Sequence, residues 1–228
     1  MKRVQLLSVG FISLGCAKNL VDSEIVAENI LSNSFVLASA PEKADIIIIN
    51  TCAFIREAKE ESINVILDAC ELKRKGSCKC VIVAGCLPQR YKQNLAEALP
   101  EVDAFIGLDE LEHAGKIADR LRHGESRITE ISESAVAVIE PPPGRILLTG
   151  GPYAYLKISD GCDHHCSFCV IPKIRGRYRS RPIKRIVAEA EVLLSRGIRE
   201  LNLISQDITF YGRDLGDSTN LVELLRQL

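Results

Sequence analysis

Four consecutive isoleucines, Ile46-Ile47-Ile48-Ile49, stand between Asp45 and Asn50, and this run restricts the fold more than any other feature of the chain. Side chains alternate between faces along a strand, so an unbroken β-branched run is apolar on both sides at once. Such a strand belongs inside a parallel sheet that is covered by helices on both faces. Parallel neighbours need crossover connections of about a dozen residues or more, usually helical. Helical patterns of that length flank the isoleucines.

Residues 1–125 alternate strand and helix signals throughout. Residues 4–14 read as a strand, followed by a helix that Asn19 or Asp22 can cap and that carries Ile25, Val26 and Ile30 on one face. After the isoleucine strand come a helix over about 54–73, a strand over 80–84, a helix over about 89–99, a strand over 102–106 and a helix over 108–122. Residues 126–152 read as a linker, because Pro141-Pro142-Pro143-Gly144 and Gly150-Gly151-Pro152 break both patterns; a short strand is expected near 146–148. A second unit, 153–228, opens with a strand over 153–159. Pro182 suits the first turn of a helix running to about 195, and a strand over 200–205 and a helix from 219 follow. The expected fold class is α/β, a parallel α/β sheet domain followed by a second, shorter set of βα units.

The 29 basic and 30 acidic residues nearly cancel, to a net charge of −1. That balance argues against generic polyanion binding and confines any nucleic-acid contact to a local patch. No apolar run approaches the ~20 residues that cross a bilayer. Met1-Lys2-Arg3 and the apolar stretch ending at Gly15-Cys16 have the outline of a lipoprotein signal. However, Ser13 stands where such signals usually carry leucine, and Gln5 and Ser8 interrupt the run, so the expected location is the cytoplasm.

Nine cysteines is a high count for a cytoplasmic chain, where clustered thiols point to metal binding or catalysis rather than disulfides. Cys16, Cys52 and Cys86 each follow one of the first three long strands, so all three should converge on the carboxyl edge of one sheet. Open α/β sheets bind ligands at that edge, and helix N-termini there favour thiolates. Cys70, Cys78 and Cys80 fall at the opposite edge or in the core, where a free cysteine behaves as a small hydrophobe. The remaining three form Cys162-Asp163-His164-His165-Cys166-Ser167-Phe168-Cys169, a C-x3-C-x2-C loop directly after a strand. Three thiolates within eight residues can wrap one face of a [4Fe–4S] cubane and leave one iron open. A zinc knob with His164 or His165 as fourth ligand is the alternative.

This loop, with Phe168 before its last cysteine, resembles the signature of the radical S-adenosylmethionine superfamily, whose usual fold is a full or partial (β/α) barrel. The resemblance implies a cluster on Cys162, Cys166 and Cys169 whose open iron chelates S-adenosylmethionine, and reductive cleavage to a 5′-deoxyadenosyl radical. It places Phe168 and Ser205-Gln206-Asp207 at the cofactor. An α/β domain with three dispersed cysteines ahead of the loop is similar to the methylthiotransferases. That likeness implies a second [4Fe–4S] cluster on Cys16, Cys52 and Cys86, and an electron donor.

Within that family, the residues from Ile12 to Glu24, Gly176-Arg177-Tyr178-Arg179-Ser180-Arg181 and Gln206-Asp207-Ile208-Thr209-Phe210-Tyr211-Gly212-Arg213-Asp214 resemble the RimO-type branch, although Ile208 replaces its usual threonine. That branch methylthiolates the β-carbon of an aspartate in the twelfth protein of the small ribosomal subunit. The tRNA-adenosine (MiaB-type) branch typically has Gln-Met-Asn after the first cysteine. A non-catalytic, metal-binding module docking on RNA or ribosomes is the other alternative.

Residues 172–188 hold seven Lys or Arg and no acid. The run reads as a solvated face or, beside the cysteine loop, as a patch that binds the cofactor's carboxylate, neutralises the cluster or steers an acidic partner, with RNA contact through Lys173, Arg175, Arg177, Arg179 and Arg181 as a further alternative. A (β/α) barrel needs about 200 residues, and the family usually ends in a small β-barrel TRAM domain for which nothing here corresponds. The expectation is therefore a truncated chain of doubtful activity on its own.

Overall fold

The computed structural model describes residues 6–142, 144–216 and 218–228. The basic start Met1-Lys2-Arg3, the first two residues of the expected opening strand (Val4 and Gln5) and Pro143 lie outside the described residues.

The first unit is built from β1 (Ser8–Ser13), α1 (Ala17–Ser32), β2 (Val36–Leu37), β3 (Ile46–Thr51), α2 (Arg56–Arg74), β4 (Cys80–Gly85), α3 (Cys86–Tyr91), α4 (Gln93–Ala98), β5 (Ala104–Ile106), α5 (Ala114–Arg122) and β6 (Ile128–Glu130). The strands form one six-stranded sheet in the order β2-β1-β3-β4-β5-β6, and every neighbouring pair is parallel. The isoleucine strand β3 lies between β1 and β4, with Ile49 opposite Ile12 on one side and Val83 on the other. All six of its residues are buried, as a strand apolar on both faces requires.

Three local features differ from the sequence expectation. The helix over 89–99 is two helices: Lys92 takes a left-handed φ of +48°, ends α3 and precedes the start of α4 at Gln93. Strands β2 and β6, two and three residues long, are too short to display a period, and β6 lies where the pattern suggests only linker. No strand forms at 146–148.

The second unit comprises β7 (Tyr153–Lys157), β8 (Ser159–Asp160), α6 (Ile171–Arg175), β9 (Arg179–Ser180), α7 (Ile183–Ser195), β10 (Glu200–Ile204) and α8 (Leu221–Gln227). Strands β7 and β10 pair in parallel around the crossover helix α7, and β8 pairs antiparallel with β9. Its core gathers Leu156, Ile158, Ile186, Leu193, Tyr211 and Leu224.

Charged side chains, not an apolar seam alone, join the units. Asn19 and Asp22 do not cap α1; Cys16 occupies the N-cap position, and both residues are buried inside the helix. From there Asp22 pairs with Lys157 (2.8 Å) and Arg175 (2.7 Å), and Asp160 pairs with the same two cations at 3.4 and 3.1 Å. Two residues along, Glu24 of α1 pairs with Arg145 at 2.7 Å, and Arg145 also pairs with Glu189 of α7.

Candidate metal centre

Each cysteine of the first triad sits where a strand hands over to a helix. Cys16 is the N-cap of α1, Cys52 follows the last residue of β3, and Cys86 opens α3 directly after β4. Because β1, β3 and β4 are adjacent and parallel, their carboxyl ends bring the three thiols together. The approach is close enough to demand glycine: Gly15 has φ +92°, and a Cβ there would lie 2.8 Å from the Cys52 Cβ.

The second unit faces the same edge. Cys16, Cys52, Cys86, Cys162 and Cys169 all line one cavity of about 470 Å³, together with Lys18, Asn19, Arg175 and Gln206. Cys166 is exposed and stands outside that lining, although its carbonyl accepts from the Cys169 amide at 3.0 Å. The cysteine loop is tied down from two sides. The Cys162 amide donates to the Gly176 carbonyl (3.1 Å), and His164 Nε2 meets Asp207 Oδ2 at 2.7 Å. The Thr209 hydroxyl, and after it His164, hold the Asp207 carboxyl below the usual carboxylate range.

Of the residues expected at the cofactor, Gln206 lines the cavity, with its amide donating to Asp160 Oδ1 at 3.2 Å. The Ser205 carbonyl accepts from Lys18 Nζ at 3.2 Å. Asp207 is engaged with the cysteine loop, and Phe168 is 84% exposed, away from the cavity. His164 is occupied by Asp207. Among the described residues no three His, Cys, Asp or Glu side chains converge on a position for a single metal ion, the geometry that a zinc knob would need.

The environment of Cys86 is the most specific. Burial pushes its thiol up to about 11, against the pull of the nearby Arg175 charge. Its sulfur lies 3.6 Å from Arg175 Nη2 and 3.6 Å from Asn19 Oδ1. Asp160 is the reverse case: burial alone would raise its carboxyl, but Arg175 and then Lys157 hold it well below the usual range. A thiolate is the reactive form, so alkylation of the metal-free chain should reach exposed Cys16 and Cys166 early and Cys86 late. Cys86 labelling should keep climbing until the pH passes about 11. Peptide mapping after timed iodoacetamide pulses reads this order; early labelling of Cys86 at neutral pH would contradict it.

The cysteines of the third group lie apart from this edge. Cys80 begins β4, Cys70 is near the end of α2, and Cys78 is buried in the sheet core. Only part of the basic segment forms a solvated face. Arg175 and Arg181 are buried, Arg181 against Glu140 and Glu189, and Arg179 donates to the carbonyls of Ala135, Ala137, Arg175 and Arg177. Only Lys173 and Arg177 of the five remain exposed. The residues that sequence reasoning missed are Asn19 and Asp160; Arg175 is singled out there only as one of a basic run, without its inward direction. One signal was available, since Cys16, Asn19 and Asp22 recur at intervals of three and so share a helix face.

Comparison with known proteins bears on both units. Residues 8–107 match the uncharacterized protein family UPF0004, and residues 156–227 match the radical SAM superfamily. The chain is 46% identical, over 228 residues, to the ribosomal protein uS12 methylthiotransferase RimO of Pelobacter propionicus, which covers all of this chain and 50% of that protein. It is 48% identical to the RimO proteins of Lachnoclostridium phytofermentans and Syntrophus aciditrophicus, over 97% of this chain and 50% and 49% of theirs. The chain thus spans about half the length of the curated relatives it matches. Among solved structures, the radical S-adenosylmethionine methyltransferase TsrM of Kitasatospora setae superposes with a TM-score of 0.60 at 13% identity, over 97% of this chain and 50% of that one. The cobalamin-dependent S-adenosylmethionine radical enzyme OxsB gives 0.56 at 13% identity, over 90% and 34%. At such identities the likeness is one of fold.

Proposed function

The chain belongs to the RimO-type methylthiotransferases of the radical S-adenosylmethionine superfamily, and from that membership we propose that it carries the cofactor-binding part of an enzyme that methylthiolates the β-carbon of an aspartate in ribosomal protein uS12. The observation that carries the reading is the meeting of cysteines from both units at one cavity. In this reading Cys16, Cys52 and Cys86 hold one [4Fe–4S] cluster, and Cys162, Cys166 and Cys169 hold a second that binds S-adenosylmethionine. The first unit, through β6 at Glu130, forms the methylthiotransferase domain, the chain from there to 152 the linker, and 153–228 the radical S-adenosylmethionine domain.

The donor set fits the groups. Soft thiolates in threes suit iron–sulfur clusters that keep an open iron, and the cavity is roomy where a single-ion site would be tight. When bound, these cofactors would supply the electron and the radical chemistry that conversion of C–H to C–S requires. The chain's own residues do the positioning. The Asp207–His164 contact orients the cysteine loop, Gln206 offers an amide at the cavity wall, and the walls built by Phe54, Ile55 and Ile171 limit water. The partners in this reading are the ribosomal protein and an electron donor, in the cytoplasm; among the described residues no helix is long and apolar enough to cross a membrane.

Anaerobic reconstitution tests the site. The full chain should take up about eight iron as two cubanes, and about four when either triad is changed from Cys to Ala. Uptake of about one zinc instead, without cleavage of S-adenosylmethionine, would overturn the assignment. Mass spectrometry of uS12 and of tRNA from a deletion strain tests the substrate: loss of the methylthio group from tRNA alone would move the chain to the other branch.

A further inference from the structure

Arg175 belongs to the second unit, yet its guanidinium ends among the cysteines of the first. The side chain is 2% exposed. Its Nη1 donates to both oxygens of Asp160 (3.2 and 3.1 Å), and its Nη2 donates to Asn19 Oδ1 and Asp22 Oδ2 (2.7 Å each) and reaches the Cys86 sulfur at 3.6 Å. A guanidinium can only donate. The protonated Cys86 thiol can itself donate to Asn19 Oδ1, 3.6 Å away, but a metal-bound thiolate has no proton to give and can only accept. Of the two neighbours, Arg175 is the one whose chemistry matches the liganded form of Cys86.

The surrounding charges do not require an arginine. Asp22 and Asp160 are already partnered by Lys157 at 2.8 and 3.4 Å, and two cations facing two carboxylates would balance equally with lysine at position 175. Lysine lacks the planar fork that lets one group bridge two carboxylates, an amide and a sulfur.

We propose that Arg175 is a positioning residue that reaches across the two units, holds the Cys86 sulfur, and sets the reduction potential of the cluster bound through Cys16, Cys52 and Cys86. This rests on the cluster assignment above. Reduction adds one negative charge, so a buried cation donating to a ligand sulfur stabilises the reduced form more than the oxidised form and raises the potential. Among the described residues no arginine donates to Cys162, Cys166 or Cys169 in this way, so the cluster on those three serves as an internal reference.

The test is an anaerobic redox titration of the reconstituted full chain, followed by electron paramagnetic resonance. Two variants are compared with the wild type: Arg175→Lys, which keeps the charge and loses the fork, and Arg175→Met combined with Asp22→Asn, which removes one cation with one anion. The double variant stays charge-balanced and keeps the measurement available if the single variant does not fold. The expected result is a shift of one cluster to a lower midpoint potential in both variants, offset in part in the double variant by the loss of the Asp22 charge, with the other cluster unmoved. Full iron loading with both potentials unchanged would overturn the proposal and leave Arg175 a structural ion-pair partner. A wild-type chain that never acquires the cluster on the first triad would instead sink the assignment beneath it.

Discussion

Changing Arg145 to methionine is expected to lower the stability of the folded chain by about 3–5 kcal/mol, the cost of breaking a buried ion pair from one side. Arg145 is fully buried. Its Nε donates to Glu24 of α1 at 2.7 Å, its Nη1 to Glu189 of α7, and its Nη2 to the Tyr155 carbonyl of β7 at 2.7 Å. One side chain therefore joins the long helix of the first unit to a helix and a strand of the second. Methionine fills most of the volume but leaves two buried carboxylates short of a partner. Glu189 keeps Arg181 at 2.7 Å, whereas among the described residues Glu24 keeps only the Leu148 amide at 2.9 Å, so Glu24 should carry most of the loss. Urea unfolding at neutral pH measures the cost as a fall in the midpoint at constant slope. Adding Glu24→Gln to Arg145→Met should recover part of it, because the stranded charge is gone. A loss below about 1 kcal/mol, the range of an exposed pair, would mean that Arg145 does not hold the units together.

Those arginines mark the limit of what the sequence can convey. The strand that organises the first sheet was legible because its determinant is local: four adjacent β-branched side chains dictate burial on both faces wherever they occur. The meeting of Cys16, Cys52 and Cys86 was legible for a related reason, since a residue just past a parallel strand has to lie at the carboxyl edge whatever the loops do. The shared cavity with Cys162 and Cys169 was not, because it depends on how the second unit docks. That docking is written in pairs such as Asp22–Arg175 and Glu24–Arg145, whose members lie far apart in the chain and carry no common local pattern. Alternating arginines at 177, 179 and 181 look like one solvated side of an extended segment. The acids that draw Arg181 inward, Glu140 and Glu189, come from the preceding linker and the following helix. Asn19 and Asp22 misled in the same way: cap-forming residue types at a helix start suggest a local role, but the structure uses them for distant partners. Short pieces escaped for want of length. Two-residue β2 and three-residue β6 cannot show a period of two, and the break between α3 and α4 turns on the φ of Lys92 alone.

The second large effect is expected at the glycine that leads into the cysteine loop. Gly161 has φ +76°, and a Cβ added there would fall 1.9 Å from the Arg177 carbonyl oxygen, 2.6 Å from the Arg177 carbonyl carbon and 2.8 Å from the Gly176 oxygen. All three contacts are backbone atoms, so no side chain can swing away to make room. The left-handed conformation costs alanine about 1–2 kcal/mol, and the collision must be relieved on top of that by moving one of the two segments. The segment that moves is adjacent to the Cys162 amide bond to the Gly176 carbonyl (3.1 Å), which sets where Cys162 points. Gly161→Ala should therefore displace one ligand of the second triad and reduce iron uptake from about eight to about four per chain, with the first triad still loaded and cleavage of S-adenosylmethionine lost. Gly197→Ala separates the two causes: Gly197 has a comparable φ of +89° but nothing within 4 Å of an added Cβ. That variant should show only the conformational cost, about 1–2 kcal/mol, and load in full. Equal behaviour of the two variants would mean that the close approach of residues 161 and 177 does not fix the cysteine loop, and that its geometry is set by the Asp207–His164 contact instead.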